Sequence, residues 1–166
     1  MIMKKLLLVL LLGSWTIGSL SAQTNTPCQS EAHSQFDFWV GEWSVYKTGT
    51  DTLLGTNSIR RILGGCVVEE NWRGATGFEG KSFNTWNAVD STWNQVWVDV
   101  SGATYHFSGT FQDGVMQLYG KAPNGTLFDM RYTPDPRAET VRQVWKASQD
   151  NGATWQVIFD GTYHKK

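Results

Sequence analysis

From Phe36 to the end of the chain, apolar and polar residues alternate for six to ten positions, a turn signal interrupts, and the alternation resumes. This rhythm constrains the fold more than anything else in the sequence. A period of two places every second side chain on one face of a strand and fits no helix. The interruptions fall near Gly49–Asp51, Gly64–Gly65, Gly74–Gly77, Asp90–Thr92, Ser101–Gly102, Asp113–Gly114, Asn124–Gly125, Thr133–Pro136 and Asp150–Gly152. Asp-Gly and Asn-Gly mark tight hairpins, because both central residues of a type I′ turn need positive φ. Nine turns divide the segment into about ten strands. No helical period stands out, apart from a single turn within Ser30–Gln35. Short, regular connections imply sequential antiparallel pairing, and closing such a meander removes its two exposed edges. The expectation is an all-β protein, a closed antiparallel up-and-down barrel. A two-sheet sandwich is the alternative, and the short turns argue against its long crossovers.

The first residues read differently. Lys4 and Lys5 precede the apolar run Leu6–Leu12, and the small residues Gly18, Ser19, Ser21 and Ala22 follow. That order describes a secretory signal over residues 1–22, too short in its apolar part to anchor comfortably across a bilayer. Cleavage after Ala22 leaves a polar leader, 23–35, ahead of a barrel domain over 36–166; cleavage after Ser21 is the alternative. An exported protein, periplasmic or extracellular, with no transmembrane span in its mature form is the expectation. Losing Lys4 and Lys5 leaves 12 basic against 15 acidic residues, a net charge of −3. A weakly acidic chain lacks the basic footprint that nucleic acid requires. Nothing in the sequence fixes the oligomeric state.

Cys28 and Cys66 are the only cysteines. In an exported chain they read as a disulfide joining the leader to the third strand segment, worth about 3–4 kcal/mol in the chain-entropy view. Two free thiols are the alternative. Two cysteines alone build no zinc site, and His33, His106 and His164 stand at no metal-ligand spacing to help them.

Nine tryptophans are present, eight of them after the signal. Placing the aromatic-rich parity inward gives an interior set of Trp39, Trp43, Trp72, Trp86, Trp97, Trp145, Trp155, Phe107 and Phe159. The same parity carries polar residues: Glu70 before Trp72, Asn84 before Trp86, Gln95 before Trp97 with Asp99 beyond, and Gln143 before Trp145. Asp129 and Arg131 share a face with Leu127. A polar-x-Trp pattern repeated on one face describes an apolar cavity with a few hydrogen-bonding points, the usual make-up of a small-molecule pocket. The candidate ligand-binding residues are therefore Glu70, Trp72, Asn84, Trp86, Gln95, Trp97, Arg131, Gln143 and Trp145. Burial demands partners for such groups, and Glu70 or Asp99 with Arg131 is one pairing that would satisfy it. A bulge would shift parity by one and turn the whole set outward. A filled polar core is a further alternative.

The segment Phe36-Asp37-Phe38-Trp39-Val40-Gly41-Glu42-Trp43 contains Gly41-x-Trp43, which resembles the motif opening the first strand of lipocalins and other calycins. With Gly65-Cys66-Val67-Val68-Glu69-Glu70-Asn71-Trp72, Gln95-Val96-Trp97-Val98-Asp99, Arg142-Gln143-Val144-Trp145 and Asp160-Gly161-x-Tyr163, the series resembles a family of exported bacterial calycin-like proteins over nearly the whole mature chain. The resemblance implies a lipocalin-like or fatty-acid-binding-protein-like barrel, with Gly41 and Trp43 in structural roles, and implies no activity. The strand count is also similar to nitrobindin, a haem-binding barrel, in architecture only; haem would call on His164 near the end of the last strand, and a solvated histidine beside Lys165 and Lys166 is the alternative. Otherwise no cofactor is indicated.

Three functions follow. The first is an exported barrel binding a small hydrophobic or amphipathic ligand. The second is an enzyme of isomerase or cyclase type with Glu70 as general base in an apolar pocket that raises its pKa. No nucleophile elbow or phosphate loop is visible, adjacent Glu69 and Glu70 point to opposite faces, and a pair of Glu70 with Asp99 across the barrel stays open. The third is a ligand-free interaction module with a filled core and an aromatic outer face.

Overall fold

The computed structural model describes residues 27–166. The expected signal segment therefore lies outside the described residues, as does the start of the leader. Ten antiparallel strands follow one another: β1 Gly41–Lys47, β2 Leu53–Ile62, β3 Val67–Gly74, β4 Glu79–Asn87, β5 Thr92–Asp99, β6 Thr104–Gln112, β7 Val115–Lys121, β8 Leu127–Asp135, β9 Thr140–Ser148 and β10 Gln156–Lys165. Each pairs with its neighbours in the chain, and β1 pairs with β10 to close the barrel. Every strand edge is thereby satisfied, and the sandwich is set aside.

Two expected boundaries move. Phe36–Val40 does not begin the first strand. A short helix, α1 (Glu31–Ser34), leads into a 3-10 turn over Asp37–Trp39, and β1 starts only at Gly41. Phe36 and Trp39, three residues apart, fall on one face of that turn, and both are fully buried. The turn near Thr133–Pro136 lies later, because β8 continues to Asp135. The Asp135 carboxylate accepts the backbone N–H groups of Arg137 and Ala138 and so fixes the turn beyond it.

The N-terminal segment is a plug in one end of the barrel. Phe36 stacks on Trp39 and meets Trp93 and Tyr132 edge-on. The Trp93 indole donates to the Gln35 side chain at 3.1 Å. Arg61, at the end of β2, ion-pairs with Asp37 and donates to the carbonyls of His33 and Gly65. Cys28 and Cys66 form a disulfide across the same end, tying the leader to the residue that precedes β3. Gly41 joins plug to wall: its φ of +148° suits glycine, and a Cβ there would lie 3.5 Å from the Trp43 indole. Trp43 in turn donates to the Trp39 carbonyl at 2.9 Å.

Strand parity runs with the aromatic set inward. A buried cluster of Trp43, Val45, Ile59, Val68, Trp93, Met116, Leu118, Met130, Tyr132, Val141 and Tyr163 fills the plugged half. The opposite half carries Trp72, Trp97, Phe107, Trp145 and Phe159 around a cavity.

Candidate functional site

Three layers stack along the barrel axis. At the plugged end lies the apolar cluster just described. Above it is a layer of buried polar groups, one or two from each of several strands: Asn57 on β2, Glu70 on β3, Ser82 and Asn84 on β4, Gln95 on β5 and Gln143 on β9. Tyr132 on β8 and Tyr163 on β10 reach it with their hydroxyls. Above that layer, toward the open end, stand aromatic walls.

Hydrogen bonds tie the polar layer together. The Asn57 amide donates to Glu70 Oε1 and the Ser82 hydroxyl to Glu70 Oε2, both at 2.7 Å. Gln95 donates to Asn84 Oδ1 at 2.8 Å and to the Tyr132 hydroxyl at 3.3 Å. Gln143 donates to the same hydroxyl at 3.2 Å and accepts from the Tyr163 hydroxyl. Asn84 donates to the Val68 carbonyl at 3.0 Å. Glu70 is the one carboxyl in the network. Burial raises its pKa from an ordinary 4.5 to about 7, against the opposing pull of the Ser82 and Asn57 donors. Burial, and then the Glu70 charge, push both Tyr132 and Tyr163 well above the ordinary tyrosine range.

The polar layer is the floor of a cavity of about 250 Å³. Glu70, Gln95, Tyr132, Gln143 and Tyr163 face it from below; Trp72, Trp97, Phe107, Trp145 and Phe159 form its sides; Leu54, Gly74, Thr76 and Phe78 line the mouth. The rings brace one another. Trp72 meets Phe159 edge-on, and Trp145 packs against Tyr105, Phe107 and Phe128. Trp97 is held from outside the cavity, its indole donating to Asp99 at 3.1 Å. It lies over Gly80, where a Cβ would come within 2.2 Å of its Cζ2. The buried Trp145 Nε1 has no hydrogen-bond partner, and neither does Asn57 Oδ1 beside the carboxyl. Among the described residues, the lining carries one carboxyl and no lysine, arginine or histidine.

The residues singled out by the polar-x-Trp pattern divide by depth. Glu70, Trp72, Gln95, Trp97, Gln143 and Trp145 line the cavity. Asn84 stands behind the floor, bonded to Gln95. Trp86 lies at the plugged end, 6.3 Å from Trp93. Arg131 is on the outer surface, paired with Asp129 at 3.1 Å, so neither Glu70 nor Asp99 has it as a partner. The error is one of parity. On β8 the inward residues are Phe128, Met130 and Tyr132, and choosing Leu127, Asp129 and Arg131 turned the strand over. Trp155 is a second correction. It is 39% exposed and precedes β10, its indole folded back onto the Gly152 carbonyl. An irregularity between Val157 and Phe159 breaks the parity that would have carried it inward. The wholesale inversion of faces does not occur, since the polar layer is buried.

Asn57, Ser82, Tyr132, Tyr163 and Trp93 were not singled out from the sequence. Trp93 shares parity with Gln95 and Trp97, and that signal alone places it inside. Ser82 likewise shares parity with Asn84. Haem bound through His164 does not fit, because that side chain is exposed on the outer face against Tyr46. His106 is exposed as well.

Among the described residues no helix is long and apolar enough to cross a membrane. Compared with known proteins, the chain matches no family model and no curated protein by sequence.

Proposed function

We propose that this barrel is an exported binding protein for a small amphipathic molecule, held with its apolar part between Trp72, Trp97 and Trp145 and its polar end on the floor around Glu70. One observation carries the reading: an unfilled, aromatic-walled cavity ends on a buried layer of hydrogen-bonding groups. The layer's internal hydrogen bonds still leave Asn57 Oδ1 and one lone pair on each Glu70 oxygen unused, capacity that the polar end of a bound molecule would fill. Large rings around a few fixed polar points are how pockets combine affinity with orientation. The disulfide supports a working place outside the reducing cytoplasm. The resemblance of the opening segment to exported calycin-like proteins belongs to the same proposal, and the closed barrel supports it.

Native mass spectrometry of the folded protein, purified from the compartment to which it is exported, tests the reading. One small molecule per chain is expected. It should be absent from a Trp97→Ala/Trp145→Ala variant that retains the β-sheet circular dichroism of the parent. A parent and a variant that carry the same bound mass would place the ligand elsewhere and overturn the assignment of the site.

A second reading rests on the same carboxyl. A buried glutamate that exchanges its proton near pH 7 has the proton affinity of a general base. It requires turnover of the bound molecule, abolished by Glu70→Gln. A ligand recovered chemically unchanged after incubation with the protein argues for binding alone.

A further inference from the structure

We infer that the ligand of this cavity carries an amine, protonated and seated on Glu70, rather than the carboxylate that fatty-acid carriers hold. The inference rests on the binding reading above and names the chemical class of the molecule.

Charge and hydrogen-bonding capacity both point there. The lining holds a single carboxyl and, among the described residues, no basic side chain. An anionic head group would meet Glu70 with nothing to neutralise either charge, in a buried site where an unpaired charge is costly. Each Glu70 oxygen already accepts one donor, from Asn57 and from Ser82, and each keeps a further lone pair. The buried Asn57 Oδ1 next to it has no donor at all. The unused capacity around Glu70 is therefore acceptor capacity; the unpartnered donor of the lining, Trp145 Nε1, belongs to the wall. An ammonium group brings three donors and the compensating charge. The walls suit the same group. Trp72, Trp97 and Phe159 line the approach to the floor, and aromatic rings attract a desolvated cation. A neutral alcohol would use the lone pairs and gain nothing from the charge.

The test uses three probes of one shape: 2-phenylethylamine, 2-phenylethanol and 3-phenylpropanoate, each titrated calorimetrically into the disulfide-intact protein at pH 8. The amine should bind at least about tenfold more tightly than the alcohol, and the carboxylate more weakly than either, since a buried charge pair is worth more than a neutral hydrogen bond. Glu70→Gln should remove the amine's advantage, so that the amine binds no more tightly than the alcohol. If that variant does not fold, the pH profile of the parent replaces it. Amine affinity should fall between pH 8 and pH 5.5 while that of the alcohol stays level. The side chains facing Glu70 are Asn57 from β2, Ser82 from β4, Gln95 from β5, Tyr132 from β8, Gln143 from β9 and Tyr163 from β10. Of these only the two tyrosines titrate, and both stay protonated throughout this range. Equal affinity for all three probes would overturn the amine inference and leave the cavity as a general apolar site. Saturable binding of none of them would overturn the binding reading itself.

Discussion

Trp97 keeps its place in the cavity wall because nothing projects from Gly80 beneath it. An alanine methyl would overlap the indole, so the ring must move. Gly80→Ala is therefore expected to cost about 1–3 kcal/mol of stability and to weaken binding of an apolar probe. The check is a urea titration of parent and variant beside a titration with 2-phenylethanol. Unchanged stability and affinity would show that the ring is not wedged there. Glu70 makes a prediction of a different kind. Its carboxyl holds a proton more tightly folded than unfolded, because burial raises its pKa to about 7. The folded state therefore binds more protons between about pH 4.5 and pH 7, and stability falls as pH rises through that window. This contribution is complete below about pH 4.5 and lost above about pH 7, and its span is about 3 kcal/mol. Glu70→Gln should flatten the dependence. Urea midpoints of the two proteins from pH 4.5 to pH 8 measure it. Parallel curves would mean that the carboxyl is not buried as described.

At the scale of elements, the plug and the strands differ in how plainly the sequence marks them. The ten strands and nine turns could be read because alternation and Asp-Gly or Asn-Gly punctuation are local properties. The cavity tryptophans and their polar neighbours followed from the same parity. Failures came where parity is decided by something non-local. Leu127 and Phe128 are both apolar, so only the rest of the barrel determines which of them turns inward. The irregularity near Ile158 that strands Trp155 at the rim has no residue signature of its own. The tyrosine hydroxyls were missed for a related reason, since a tyrosine read from sequence is one more apolar ring until its depth is known. The 3-10 turn over Asp37–Trp39 was read as strand because Phe36, Phe38 and Val40 also fit a period of two. That turn is now the stopper of the barrel, and the disulfide holds it. Replacing both Cys28 and Cys66 by serine should cost about 3–4 kcal/mol, with the loss expressed first in the plug. Hydrogen exchange checks it. Backbone amides of 31–40 should lose protection before those of β7 and β8, and equal loss everywhere would contradict a separately tethered plug.

For the molecule as a whole, closure is what allows an interior to be partly empty. A ten-strand wall pairs every edge, so the fold does not depend on a fully filled core, and the apolar cluster of the plugged half supports it from one end. The other half is left as an aromatic cup over a polar floor with Glu70 in it. Fold class was legible from rhythm alone; the chemistry of the cup was not, because it depends on which charged side chains stay outside. Arg131 on the outer face is the clearest instance: had it turned inward, the cavity would be suited to anions. The most direct measurement is a calorimetric titration of 2-phenylethylamine into the native protein at pH 8 and again at pH 5.5. One-to-one binding that weakens about 30-fold at the lower pH, as Glu70 takes up its proton, is the predicted result. Binding of equal strength at both values, or no saturable binding at either, would contradict a cup built around an ionisable floor.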